Sequence, residues 1–393
     1  MSRYIKSEDK RCFYYWEFDT KNGKFIGQPK LFVKHDYNIP TFSTVFTSFD
    51  SDLGHIDNSQ NGTRISFVSS TGITNRSTEN YFVLVTDENF KTLWSKKVTL
   101  PYKDRKVLLN RIDVSNNGNV YLLCKIYGSS DDGSALKYRY ALNFVSPNET
   151  KEIKLTLDSD KEILDLCEYK YNDNILCLAG VYTLTSNKKE RANGSFILKF
   201  NTEKQKTEMI KTYPFGPEMN VPSQKQSKDD KNNEIHSLQL SDWNFSDDGT
   251  ITLIFDQYFL EVRTYNMGNK IHTDYIYHYN DKFITRFDSS GNQLFQTRIQ
   301  NKYRSGSSGR NSNLYTLNSN KTLLAYRSDD TDGNNIMIAI LDNKGKLIYN
   351  NSHSMNSSEA DMIYNYIFKI DDKLIVSAKN NKKYHYGRLT VTD

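Results

Sequence analysis

Apolar and polar residues alternate with a period of two along most of this chain. The alternating runs come in pairs joined by short polar turns, the pattern of β-hairpins. One family of hairpins turns around an Asp: "RFDSSGNQLFQTRI" at Asp288, "ILDNKGKLIYNN" at Asp342, "LVTDENFKTLWSKKV" at Asp87 and "EFDTKNGKFIGQPKLFV" at Asp19. Weaker copies lie around Ser146 and Asn201. Upstream of most copies is a second hairpin, turning at Asn116–Gly118, Asn172–Asn174, Asp247–Gly249, near Asn318 and at Asp371–Asp372. No stretch reads as a long amphipathic helix.

The repeating unit is therefore four strands, recurring at roughly 50–90 residues, which is the mark of a β-propeller. A lone four-stranded blade cannot bury both of its faces, whereas stacked blades can. The expected fold is all-β, with four antiparallel strands per blade and one propeller domain over residues 1–393. Units begin near residues 43, 108, 163, 238 and 312, and a last one near 363 stops after three strands. The N-terminal segment can supply a missing strand. Six blades are expected, with both termini closing one blade, and seven is the alternative, because the N-terminal segment holds two strands.

In such a blade the hairpin turns above lie on one side of the disc. The other side carries the longer connections: "GSSDDGSALK", "LTSNKKERANGS", residues 212–237 and residues 301–313. Long loops on a rigid scaffold tend to carry function, so that side is the expected functional side. The 216–235 stretch is polar enough to suggest disorder.

One hairpin is overloaded with aromatics: "TITLIFDQYFLEVRTY" (250–265) followed by "HTDYIYHYNDKFITRFD" (272–288). Both runs exceed the usual strand of about 5–6 residues, so the hairpin is expected to project or to be bent by a bulge. A turn centred near 268–269 sets Tyr258 opposite Tyr279, Leu260 opposite Tyr277 and Asp256 opposite Asp281, with His278 on the other face. Facing carboxylates repel; they would share a proton or recruit a cation. The plainer expectation is that Asp281 bonds loop backbone and the tyrosines cover a neighbouring blade. The candidate binding residues are Asp256, Tyr258, Tyr277, His278, Tyr279 and Asp281, with Tyr303 and Arg304 from the long 301–313 connection.

Composition narrows the rest. Net charge is +5, with 52 basic and 47 acidic residues and no dense Lys/Arg run, so no nucleic-acid partner is expected. No apolar stretch is long enough for a membrane-spanning helix. The first residues are polar, with no signal peptide, so the chain is either cytosolic or numbered from after a removed segment. "SDDTDGNN" (328–335) lacks the EF-hand pattern, because position 12 falls on Ala339. The seven histidines form no metal motif, and no phosphate loop or nucleophile elbow appears, so no cofactor and no metal are expected. Cys167 and Cys177 flank one turn and could face each other across two strands, but buried free thiols are the commoner outcome.

The segments 13–33, 82–102, 116–127, 247–259, "YIYHYNDKFITRFDSSGNQLF" (275–295) and "YGRLTVTD" (386–393) resemble an uncharacterised family of extracytoplasmic β-propeller proteins from Bacteroidetes. The resemblance implies export across the inner membrane, to periplasm or cell surface, and a propeller; it implies no activity. The leading expectation is a non-enzymatic binding or scaffolding propeller that holds a protein or glycan on its long-loop face. A polysaccharide hydrolase or lyase using Asp256 or Asp281 is the second, and a subunit of a surface or secretion assembly the third.

Overall fold

The structure is a computed structural model. It describes the chain apart from residues 1, 6–7, 9, 20, 37–53, 72–77, 104–105, 129–135, 173, 187–190, 220–234, 247, 268–269, 306–311, 319–320, 330–334, 355–362, 371–372, 381–382 and 390–393. The described residues are almost entirely strand, and the helical content is a single-turn 3-10 segment, Pro217–Met219, with isolated residues.

The strands form consecutive antiparallel sheets in chain order. The first has three strands, β1 (Ser2–Ile5), β2 (Lys10–Asp19) and β3 (Lys24–Asp36). The second holds β4 (His55–Asn58), β5 (Arg64–Ser70), β6 (Thr78–Asp87) and β7 (Thr92–Lys103). The third holds β8 (Val107–Val114), β9 (Val120–Tyr127), β10 (Tyr138–Val145) and β11 (Thr150–Lys154). The fourth joins β12 (Lys161–Asn172), β13 (Ile175–Leu184), β15 (Gly194–Asn201) and β16 (Lys206–Pro214). Beside it, β14 (Arg191–Ala192) pairs with β17 (Ile235–His236).

The fifth sheet holds β18 (Leu238–Phe245), β19 (Ile251–Met267), β20 (Lys270–Phe287) and β21 (Gln293–Ile299), and β22 (Tyr303–Ser305) adds to the far part of β20. The sixth holds β23 (Ser312–Asn318), β24 (Lys321–Tyr326), β25 (Asn335–Asp342) and β26 (Leu347–Ser354), and the last holds β27 (Ile363–Ile370), β28 (Lys373–Asn380) and β29 (Lys383–Leu389).

This is an all-β fold of β-propeller type: successive four-stranded up-and-down antiparallel sheets. Among the described residues the first and last sheets keep separate ladders. Besides the small β14–β17 pair, the first and last sheets have three strands each and those between have four or five. In the first sheet β2 and β3 form a long hairpin that pairs with β1 at its inner end.

The chain divides into two compact units. The first contains residues 1–159, 170–176 and 201–206; the second contains 160–169, 177–200 and 207–393. The first unit shows how blades are stabilised. Phe67 and Leu84 of the second sheet pack against Phe13 and Val33 of the first. Val68, Val83 and Val85, on its other face, pack against Ile112, Leu122 and Ala141 of the third. Sheets covered on both faces read as continuous apolar runs rather than clean alternation, as in "VYLLCKIY" and "ILCLAGVY". Each such side chain contributes about 1.5–3 kcal/mol on full burial. In the second unit Ile254, Ile284 and Phe295 pack against Leu324, Tyr326 and Ala339.

The repeated polar turns have a common cause. The Asp19, Asp87, Asp288 and Asp342 carboxylates accept backbone N–H bonds from residues two to four positions on, and Asn201 does the same. These are Asx-type turns. A second device links neighbouring first strands: Asp57 accepts the Val114 N–H (3.0 Å) in the first unit and Asp165 accepts the Leu240 N–H (2.8 Å) in the second. Cys12, Cys124, Cys167 and Cys177 are all buried, and none is in a disulfide. No helix of the described residues is long and apolar enough to cross a membrane. Most of the polar 216–235 stretch lies outside the described residues.

Candidate functional site

The aromatic hairpin is β19 and β20, with 17 and 18 residues. Its inner part belongs to the core of the fifth sheet: Ile251 to Asp256 are all buried. From Phe259 outward the strand is exposed except at half-buried Glu261. At ~3.3 Å per residue such a strand spans about 55 Å, far beyond an ordinary strand of ~17–20 Å. The hairpin therefore projects beyond the sheet, and a bulge bends it as well.

The bulge decides the site. Asp256 pairs with Lys282 and Tyr258 with Tyr279, so Gln257 alone opposes both Asn280 and Asp281. Tyr258 opposite Tyr279 and Leu260 opposite Tyr277 hold as expected from sequence. Asp256 opposite Asp281 does not, because the extra residue in β20 moves Asp281 out of register. The two carboxylates take separate cations. Asp256 Oδ1 lies 2.7 Å from Lys282 Nζ with both side chains buried. Lys282 Nζ also lies 5.2 Å from the Tyr326 ring centre. Asp281 accepts from Arg298 Nε (2.8 Å) and Nη2 and from the Asn301 backbone N–H (2.9 Å). Neither carboxylate is open to solvent as an acid or base. Among the described residues no group of three or more His, Cys, Asp and Glu could hold a metal ion.

Beyond the bulge the hairpin has two unlike faces. On one, alternation and register place Tyr258, Leu260 and Val262 of β19 with Tyr279, Tyr277 and Tyr275 of β20 and Tyr303 of β22. Among the described residues the hairpin itself sets no charged side chain on this face. Its tyrosines form a ladder: ring centres are 6.2 Å apart for Tyr258–Tyr277, 5.3 Å for Tyr258–Tyr279 and 6.1 Å for Tyr279–Tyr303. Tyr279 is buried within it, Tyr303 accepts from Arg327 Nη1 (3.2 Å), and burial raises the Tyr258 hydroxyl above its ordinary pKa, with Tyr277 adding to the effect. Leu260, Val262, Tyr275 and Ile271 are exposed, Ile271 by 75%.

The other face is mixed: Glu261, Arg263 and His278 stand among Phe259, Tyr265, Met267 and Ile276. His278 stacks on Phe259 at 4.2 Å and 8°, and its Nε2 lies 2.8 Å from Glu261 Oε2. Glu261 also accepts from Arg263 Nε at 2.7 Å. The Arg263 bond, then the His278 bond, hold the Glu261 carboxyl down at about 2. Arg304 sits across from His278 and binds Asp329 through its side chain (3.2 Å) and its backbone N–H (3.0 Å).

The structure thus brings Tyr258, Tyr277, Tyr279 and Tyr303 onto one face, puts His278 and Arg304 on the opposite face, and locks Asp256 and Asp281 into buried ion pairs. Sequence reading missed Lys282 and Arg298 as the partners. Their signal was present: a lysine and an arginine interrupting the apolar runs "DKFITRF" and "LFQTRI". It also missed that β22 continues the sheet beside β20.

No protein-family model matches the chain, and no curated protein matches its sequence. Solved structures similar to it include a polysaccharide lyase, the PL25 ulvan lyase, at 11% identity and a TM-score of 0.44, covering 98% of this chain and 90% of that one. The Dos1 propeller is similar at 13% identity and 0.43, covering 96% and 73%. The β-propeller domain of the Trilobed protease from Pyrococcus furiosus is similar at 8% identity and 0.36, covering 86% and 82%. These values are too low to carry an argument about activity.

Proposed function

We propose that the chain is a non-catalytic binding or scaffolding propeller that holds a protein partner on the tyrosine face of its projecting hairpin. One observation carries the reading: a face on which the hairpin, among the described residues, sets no charged side chain, made of tyrosines and exposed aliphatic side chains, held out beyond the sheet that anchors it. Exposed apolar patches of this kind mark interaction sites, and tyrosine suits interfaces through its apolar body and polar tip. Protein is favoured over glycan because the ladder rings lie against one another, which covers their flat faces, and because Leu260, Val262 and Ile271 offer aliphatic contact. The family resemblance in the sequence supports a site of action outside the inner membrane.

The test compares capture of a partner from native extract by the wild type, by Tyr258→Ala/Tyr277→Ala, and by His278→Ala on the opposite face. The partner is identified by mass spectrometry and its binding remeasured with purified components. The reading requires loss with the tyrosine variant alone. Equal capture by all three, or binding to a glycan panel with no protein partner, overturns it.

A further inference from the structure

The outer part of β19 has an open edge. The β18 ladder ends at Leu238 opposite Gln257, and the Tyr258 N–H donates to the Ser237 carbonyl at 2.8 Å. That bond sets the direction of the backbone beyond it: the N–H and C=O groups of Leu260, Val262 and Thr264 point away from β20. No strand among the described residues pairs with them, and Val262 to Met267 are all exposed. A long, exposed, partly apolar edge is a template for another strand.

The residues on this edge say which strand fits. Laid antiparallel on its own copy with Val262 opposite the partner's Val262, the segment sets Leu260 opposite the partner's Thr264 and Phe259 opposite the partner's Tyr265. Glu261 then meets the partner's Arg263, and Arg263 meets the partner's Glu261. Opposite charges directly across a ladder stabilise it and like charges destabilise it. The alternatives are penalised: sliding by one step of the pleat in one direction sets the two Arg263 side chains together, and in the other the two Glu261 side chains.

We propose that two copies of this chain join edge to edge through Phe259–Tyr265 of β19, in the register that crosses Glu261 with Arg263. The contact is isologous and closes after two copies. Ser237 bounds the ladder at Tyr258, so the partner's residues beyond Tyr265 leave the ladder there. Both tyrosine faces stay open, so the dimer presents two copies of the proposed binding face.

The test needs no ligand: mass by light scattering and sedimentation over a concentration series, with circular dichroism to confirm folding. Wild type is expected to dimerise. Glu261→Arg alone and Arg263→Glu alone each weaken dimerisation by about tenfold or more, as both cross-strand pairs turn repulsive. Mixing those two variants restores a dimer, and so does combining the two changes in one chain. Val262→Lys, which sets two lysines together at the centre, gives monomer. A monomeric wild type, single variants that dimerise as well as wild type, or a mixture that fails to associate overturns the proposal. Partner capture by Tyr258→Ala/Tyr277→Ala is read separately, so failure of the dimer and failure of the tyrosine face are distinguishable.

Discussion

Asp256 and Lys282 meet across the root of the hairpin at 2.7 Å, with neither side chain more than 3% exposed. Removing one member of a buried pair strands the other charge, at a cost of about 3–5 kcal/mol, whereas replacing both by well-packed apolar groups is often neutral. Lys282→Met should therefore destabilise the protein by about that amount, and Asp256→Leu/Lys282→Met should recover most of it. Urea denaturation of the three proteins checks this; equal stability of wild type and Lys282→Met would refute the pairing.

The Asx turns make a smaller, local prediction. Asp87 and Asp342 each accept two backbone N–H bonds in their turns. Asp87→Ala and Asp342→Ala should each cost about 1 kcal/mol, measured by the shift in denaturation midpoint at unchanged slope.

His35 supplies a pH dependence. Its ring lies between Phe82 (4.9 Å) and Phe13 (5.9 Å), its Nδ1 is 2.8 Å from the Asp36 carbonyl, and its Nε2 finds no partner among the described residues. Burial lowers its pKa, with nearby Arg11 adding to the effect, while the Asp36 carbonyl opposes it. The unfolded chain then binds a proton more readily than the folded one, so stability is full above the ordinary histidine range near 6.5 and falls as pH drops below it. Melting temperatures at pH 7 and pH 5 should differ less in His35→Phe than in wild type. His55, also lowered by burial, keeps part of the dependence in that variant.

The strands, the Asp turns and the place of the aromatic hairpin were legible because each is written in local spacing: alternation, a turn residue, a tyrosine-rich run. The Tyr258–Tyr279 register followed from counting back from the turn. Asp256 opposite Asp281 failed because a bulge leaves no mark in alternation until its partners are known; the count stayed right outside the bulge and was off by one inside it. β1 escaped the sequence reading because its four residues, Ser2–Ile5, are too few to show a period. Arg304 illustrates another limit, since only its pairing with β20 shows that it faces away from the tyrosines.

The tyrosine face makes a prediction about economy. Tyr258 and Tyr277 are partly exposed, so Tyr258→Ala/Tyr277→Ala should lower folding stability by less than Lys282→Met while costing far more in partner binding. At an interface such anchors contribute upward of about 2 kcal/mol each on truncation. Calorimetric binding and urea denaturation of the same variant separate the two effects.

Hydrogen–deuterium exchange with and without the captured partner tests the central claim most directly. The account predicts new protection concentrated in residues 258–279 and 303–305, with the remaining sheets unchanged. Protection confined to other sheets, with the hairpin exchanging as freely as in the unbound protein, would contradict it.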